Sequence, residues 1–204
     1  LIDSFSVVDT TAPAVFDSNI ADSTEFNGNV AVRVNVTDLS TLSKVFAVVD
    51  GVYNEMSLET GNRFLVTLTS PIVGTHNVQY IVNDTYNNVN SSMTDSFNVV
   101  DTTLPAVFAS VIPATTEFGS NVSVRVNVTD LSTINKVFAN VSGTLYQMNI
   151  EAGNTYLVNV PGLGVNTYNV QYIANDSLGN VNNTLTASFY QMFDLTTGYQ
   201  VTEK

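Results

Sequence analysis

The sequence predicts an all-β protein: two tandem β-sandwiches of about seven short strands each. A repeat, an alternation and a turn spacing carry that prediction. "VVDTTAPAVF" at 7–16 returns as "VVDTTLPAVF" at 99–108, and "VRVNVTDLST" at 32–41 returns letter for letter at 124–133. "KVFA" (44–47) and "NVQYI" (77–81) return at 136–139 and 169–173, so all four matches share one offset of 92 residues. A match sustained at one offset is a tandem repeat, here of a unit of about 90 residues, a common size for one domain. Between "PIVGTH" and "PGLGVNTY" the second copy loses two residues before the proline and regains two after it, as a loop does.

The strands of the first copy come in order along the chain. "NVAVRVNVTD" at 29–38 alternates strictly, with Val30, Val32, Val34 and Val36 on one face and Ala31, Arg33, Asn35 and Thr37 on the other, the pattern of a half-buried strand. "KVFAVV", "YNEMSLE", "RFLVTL", "HNVQYIVN" and "MTDSFNVV" come next, separated by Asn, Asp, Gly and Ser clusters that favour turns. No stretch keeps a helical period. Short strands at this spacing are the pattern of an immunoglobulin-like sandwich. The expected core of copy one is the valine stripe with Val45, Ala47, Val49, Phe64, Val66, Leu68, Val78, Tyr80 and Val82. In copy two it is Val122, Val124, Val126, Val128, Val137, Ala139, Val141, Tyr156, Val158, Val160, Val170, Tyr172 and Ala174.

The expected organisation is therefore an orphan strand at 1–8, whose "LIDSFSVVD" echoes "MTDSFNVVD" at 93–101, then domains at 9–100 and 101–193, then a linker or the start of a further unit at 194–204. The array is expected to continue in one or both directions.

A net charge of −12 and a pI near 4.1 argue against nucleic acid or an anionic membrane as partner and leave cations open. The absence of cysteine removes disulfides and thiolate metal sites, so each unit rests on its hydrophobic core. No apolar run reaches the roughly 18 residues of a membrane span.

The "DTTxP" lead-in, the "VTDLST" turn and the "YIANDSLGN" hairpin resemble bacterial and archaeal Ig-like repeats of secreted surface proteins, over nearly the whole chain. The resemblance implies a sandwich fold and an extracellular, cell-surface setting. Copy one departs from it at "NDTYNN", where Asn87 occupies the place of Gly179; Asn is the next-best residue for a left-handed turn position.

Under Ig topology the repeated motifs fall at one pole. Asp9, Asp38 and Asp84 then converge in copy one, and Asp101, Asp130 and Asp176 in copy two. Carboxylates gathered without a nearby Lys or Arg repel one another unless a cation or water separates them. The expectation is a structural Ca2+ site in each copy, with backbone carbonyls and Asn88 or Asn180 completing the shell. The competing reading has each Asp merely capping its own turn. Pro13 and Pro105 stiffen the adjoining backbone.

Eight Asn-X-Ser/Thr sequons occur, at Asn35, Asn83, Asn90, Asn121, Asn127, Asn140, Asn175 and Asn182, and are candidate glycosylation sites. Phe46 and Phe138 alternate outward beside Lys44 and Lys136, either as contacts or beneath a neighbouring loop. Arg33 and Arg125 point outward, toward a cross-strand carboxylate. Catalytic machinery is not expected: the single histidine, His76, has Tyr168 in its place in copy two, and no nucleophile–base or metalloprotease pattern occurs. The chain reads as a structural repeat module of an extracellular rod, filament, sheath or S-layer, stiffened at its junctions, whose partners are neighbouring copies or further repeats. The alternative is an adhesin or carbohydrate-binding module, for which Tyr53, Tyr86, Tyr146 and Tyr199 are the candidate aromatic contacts.

Overall fold

The computed structural model describes residues 3–193, and the chain divides into two compact units, Leu1–Asp101 and Thr102–Lys204. The described residues form strands and turns, with no helix. Unit one contains β1 (Ala14–Asn19), β2 (Ser23–Glu25), β3 (Val30–Thr37), β4 (Leu42–Val49), β5 (Val52–Glu55), β6 (Ser57–Thr60), β7 (Arg63–Leu68), β8 (Gly74–Asp84), β9 (Val89–Asn90) and β10 (Thr94–Val100). They build two sheets, β1-β3-β7-β6 and β2-β10-β8-β4-β5, with β9 added on β8. This strand order is that of an immunoglobulin-like sandwich.

Unit two repeats the plan with β11 (Ala106–Val111), β12 (Thr115–Glu117), β13 (Val122–Thr129), β14 (Ile134–Val141), β15 (Thr144–Ala152), β16 (Thr155–Val160), β17 (Asn166–Asp176), β18 (Val181–Asn182) and β19 (Thr186–Met192). Here β15 runs unbroken from one sheet to the other, pairing with β14 through Met148 and with β16 from Asn149. In unit one the same segment is two strands parted at Met56. Met56 and Met148 are buried at this crossing, where an unbranched side chain fills the gap at the sandwich edge.

The alternation of β3 becomes packing directly. Val30, Val32 and Val34 lie opposite Leu68, Val66 and Phe64 of β7, and the valines face Val45, Ala47, Val49, Val78, Tyr80 and Val82 across the sandwich. Burying each such side chain contributes about 1.5–3 kcal/mol. Phe64, Val66 and Leu68 of β7 are only half-buried, as are Tyr156 and Val158. Phe97, Val99 and Phe189 join the core from the last strands, which the expected core omitted.

Two local features of the backbone set side chains in place. The β4–β5 connection is a two-residue turn in which Asp50 and Gly51 both have positive φ (49° and 86°), the backbone twist that suits a tight hairpin. In β1 the register shifts between Phe16 and Asn19, with Asp17 at φ 50°, and in β11 Ala109 repeats the bulge at φ 51°. The bulge delivers Ser18 to the Tyr80 hydroxyl and Ser110 to that of Tyr172, each at 2.8 Å. Residues 3–8 form no strand and expose Phe5, Val7 and Val8, while 194–204 lie outside the described residues.

Candidate cation-binding site

Asp84 closes β8 and is fully buried. Its Oδ1 accepts from the backbone N–H of Tyr86 (2.9 Å) and of Asn88 (2.8 Å), and its Oδ2 from Asn88 Nδ2 (2.7 Å) and Ser40 Oγ (3.0 Å). Burial pushes this carboxyl up; the donations from Asn88, Ser40 and Tyr86 outweigh it and hold the pKa below the ordinary carboxylate value. Asp38, at the end of β3, accepts from Ser40 Oγ at 2.6 Å through its Oδ2. Ser40 thus bridges two carboxylates. Asp9 arrives on the lead-in segment, its Oδ1 accepting from Thr11 N (2.8 Å) and its carbonyl from Asn88 Nδ2 (3.0 Å).

The ligating oxygens of Asp9, Asp38 and Asp84 all lie within 4.8 Å of one another, and so do those of Asp101, Asp130 and Asp176. In unit two Asp176 accepts from Asn180 Nδ2 at 2.7 Å and Ser132 Oγ at 3.2 Å, and Ser132 also donates to Asp130 at 2.6 Å. Both readings of these aspartates therefore describe real contacts: Asp9, Asp38, Asp84, Asp130 and Asp176 cap their own turns, and the carboxylates gather in threes. The turn contacts leave acceptors over. Asp9 Oδ2 and Asp130 Oδ1 are buried without a hydrogen-bond partner. The oxygen-only donor set suits a hard cation such as Ca2+. Ser40 and Ser132 were not singled out from sequence, although Asp-x-Ser is a recognisable turn signal.

Asn87 has φ 67° and Gly179 φ 98°, so the substitution in "NDTYNN" does preserve a left-handed turn. Among the sequons, Asn90 donates through Nδ2 to Pro13 O and Asn182 to Pro105 O, each at 2.8 Å, and each accepts the hydroxyl of its own sequon. Those two amides fasten the segment after each proline. Asn35, Asn83, Asn127, Asn140 and Asn175 are half-exposed and Asn121 is exposed. Phe46 is half-buried, with the Tyr53 ring edge-on at 5.7 Å. Arg33 pairs with Glu59 (3.1 Å) and Arg125 with Glu151 (2.8 Å). Tyr53 and Tyr86 are exposed, Tyr146 packs against the core of unit two, and Tyr199 lies outside the described residues.

Among solved structures the chain is similar to titin domains z1z2 in complex with telethonin, at 16% identity and TM-score 0.50, covering 92% of this chain and 98% of that one. That likeness shows the fold: the chain is a tandem of Ig-like sandwiches. It is also similar to the titin I67–I69 variant (11% identity, TM-score 0.48, covering 89% of this chain and 65% of that one). A third similar structure is the fibronectin(III)-like modules of Clostridium thermocellum CbhA (14% identity, TM-score 0.38, covering 89% and 93%). No protein-family model and no curated protein matches the chain.

Proposed function

We propose that this chain is a structural repeat module of an extracellular surface protein, a rod, filament, sheath or S-layer subunit, in which calcium fastens the lead-in of each sandwich to its motif pole. The observation that carries the reading is the recurrence of three gathered aspartates at the same repeat positions in a molecule with six lysines and arginines in all. A divalent cation relieves the repulsion among them and ties Asp9, on the lead-in, to Asp38 and Asp84 of the sandwich. Scarce basic residues, a polar Asn, Ser and Thr surface and accessible sequons suit an extracellular, glycosylated setting. Neighbouring copies or further repeats are the proposed partners. Residues 3–8 support that choice, because "DSFSVV" differs by one letter from "DSFNVV" of β10 yet leaves Phe5 89% exposed where Phe97 is 1% exposed.

Extracellular modules bind calcium with Kd on the order of 0.1–1 mM, so a few millimolar calcium stabilises each site by about 1 kcal/mol. Calorimetric melting should rise by about 5 °C between EDTA and 5 mM calcium chloride. Asp9→Asn should abolish the rise for unit one alone. Superimposable melts with no calcium bound in titration calorimetry would refute the site. Electron microscopy of native material tests the assembly: filaments or a lattice support the structural role, whereas isolated particles with specific glycan binding would favour the adhesin alternative.

A further inference from the structure

His76, the chain's single histidine, lies near the start of β8, at the pole opposite Asp84. It is 6% exposed and stacks on Phe97, with ring centroids 5.0 Å apart. Its Nδ1 is 2.6 Å from Asp50 Oδ2, and its Nε2 is 2.8 Å from the carbonyl oxygen of Ile72. Neither partner has a proton to give: a carbonyl never does, and a carboxylate does not above about pH 4. A neutral imidazole carries one N–H, so one of these short contacts would then set lone pair against lone pair. The imidazolium donates both.

The partners are themselves held. Asp50 sits in the two-residue β4–β5 turn, and its Oδ1 accepts from Asn77 N at 3.0 Å. Ile72 belongs to the loop at 69–73 that joins β7 to β8. We propose that Asp50, His76 and Ile72 form a proton-dependent latch in unit one, closed by the imidazolium, which ties the 69–73 loop to the β4–β5 turn and lets it go when the proton leaves. Unit two is the internal control. Tyr168 replaces His76, stacks on Phe189 and donates to Gly164 O at 3.1 Å; Ser142 replaces Asp50 and accepts from Asn169 N at 3.2 Å.

Around His76, the loop presents the Ile72 carbonyl, the β4–β5 turn the Asp50 carboxylate and β10 the uncharged Phe97 ring. The Ile72 carbonyl raises the His76 pKa, burial opposes it, and Asp50 adds to the rise, so the value lies above the ordinary 6.5. The N–H of Asn77 and then His76 hold Asp50 below its ordinary 3.8. A raised histidine stabilises the fold fully below about pH 6.5 and loses that contribution as pH climbs through the higher folded value. At the acid end the latch persists until pH falls through the depressed value of Asp50.

With one histidine per chain, the imidazole NMR titration reports this residue without ambiguity. The expected midpoint lies above 6.5, with both ring nitrogens protonated at pH 6. Amide protection of Ile72, Val73 and Gly74, corrected for intrinsic exchange, should fall several-fold between pH 6 and 9 while residues 162–166 stay level. Asp50→Ser, which installs the residue of unit two, should lower the midpoint and reduce protection of those three amides at pH 6, leaving unit two unchanged. A wild-type midpoint at or below 6.5, protection of the three amides that ignores pH, or a midpoint unmoved by Asp50→Ser would each overturn the latch.

Discussion

Each sandwich has a pole built from the repeated motifs and an opposite pole where the copies diverge, and the two poles fasten the chain differently. At the motif pole the contacts recur almost unchanged: Asn Nδ2 to Asp at 2.7 Å in both units, and Ser Oγ to the turn Asp at 2.6 Å in both. At the other pole unit one has Val99 in the core and His76 stacked on Phe97, whereas unit two places Gln191, fully buried, where Val99 stands. Gln191 Oε1 accepts from Leu163 N at 2.6 Å and its Nε2 donates to Ser120 O at 2.8 Å. The 161–165 loop of unit two, equal in length to 69–73 but different in sequence, runs so close that a Cβ on Gly162 would lie 2.0 Å from the Gly119 carbonyl oxygen. Leu163 N and Ser120 O meet the buried Gln191 here, and buried backbone groups need partners. The pole of repeated sequence keeps one solution; the pole of diverged sequence uses another.

The motif pole of each unit depends most on its buried aspartate, Asp84 or Asp176. Alanine at either position leaves two backbone N–H groups without their acceptor and removes one contact each from the neighbouring Asn and Ser, and the melting temperature of that unit should fall on the order of 10 °C. Because the motif pole is the same in both units, the two drops should be similar. Calorimetry with hydrogen exchange assigns each transition to its unit, and drops that differed severalfold would mean the repeated pole is not equivalent after all. At the other pole the exchange is asymmetric by construction. Gln191→Val orphans Leu163 N and Ser120 O and should cost about 2–3 kcal/mol in urea unfolding. Val99→Gln places an amide in the apolar core of unit one and should cost about as much or more. A neutral Val99→Gln would show that the unit-one pole already offers polar partners.

This division also explains what the sequence made legible. The strands and the inward face of β3 were readable because alternation survives without knowledge of neighbours, and the meeting of Asp9, Asp38 and Asp84 was readable because Ig topology puts those three turns together. The three-residue strand β2 was not: "STE" carries no apolar alternation, and it is a strand only because Asn98, Val99 and Val100 of β10 pair with it in parallel. Nor was the split at Met56, since the unit-one and unit-two segments read alike and differ in whether one strand crosses between sheets. His76 is visibly solitary in the sequence, but its partners Asp50 and Ile72 come from a turn and a loop whose approach only the folded chain reveals. Gln191 gives no signal in the sequence because a single polar residue in a strand usually faces solvent.

The smallest expected effect tests the bulge. Tyr80 OH meets Ser18 at 2.8 Å and the Arg33 carbonyl at 3.3 Å, and Tyr172 OH meets Ser110 and the Arg125 carbonyl in the same way. Only in unit one is a carboxylate added: Ser18 also donates to Asp95, where unit two has Ala187. Burial pushes the Tyr80 hydroxyl up to about 12, with the Ser18 bond opposing and Asp95 adding to the rise. Tyr80→Phe leaves Ser18 bonded to Asp95 and should cost about 0.5–1 kcal/mol, whereas Tyr172→Phe leaves Ser110 without that tyrosine partner and should cost about 1–1.5 kcal/mol. The tyrosine with fewer attendants is thus the more expensive to lose. Alkaline denaturation separates the same pair, because a raised tyrosine stabilises the fold fully below pH 10 and loses that contribution as pH rises toward 12. Tyr80→Phe should flatten this part of the alkaline loss in unit one, and a reversed order of the two costs would place Asp95 outside the network.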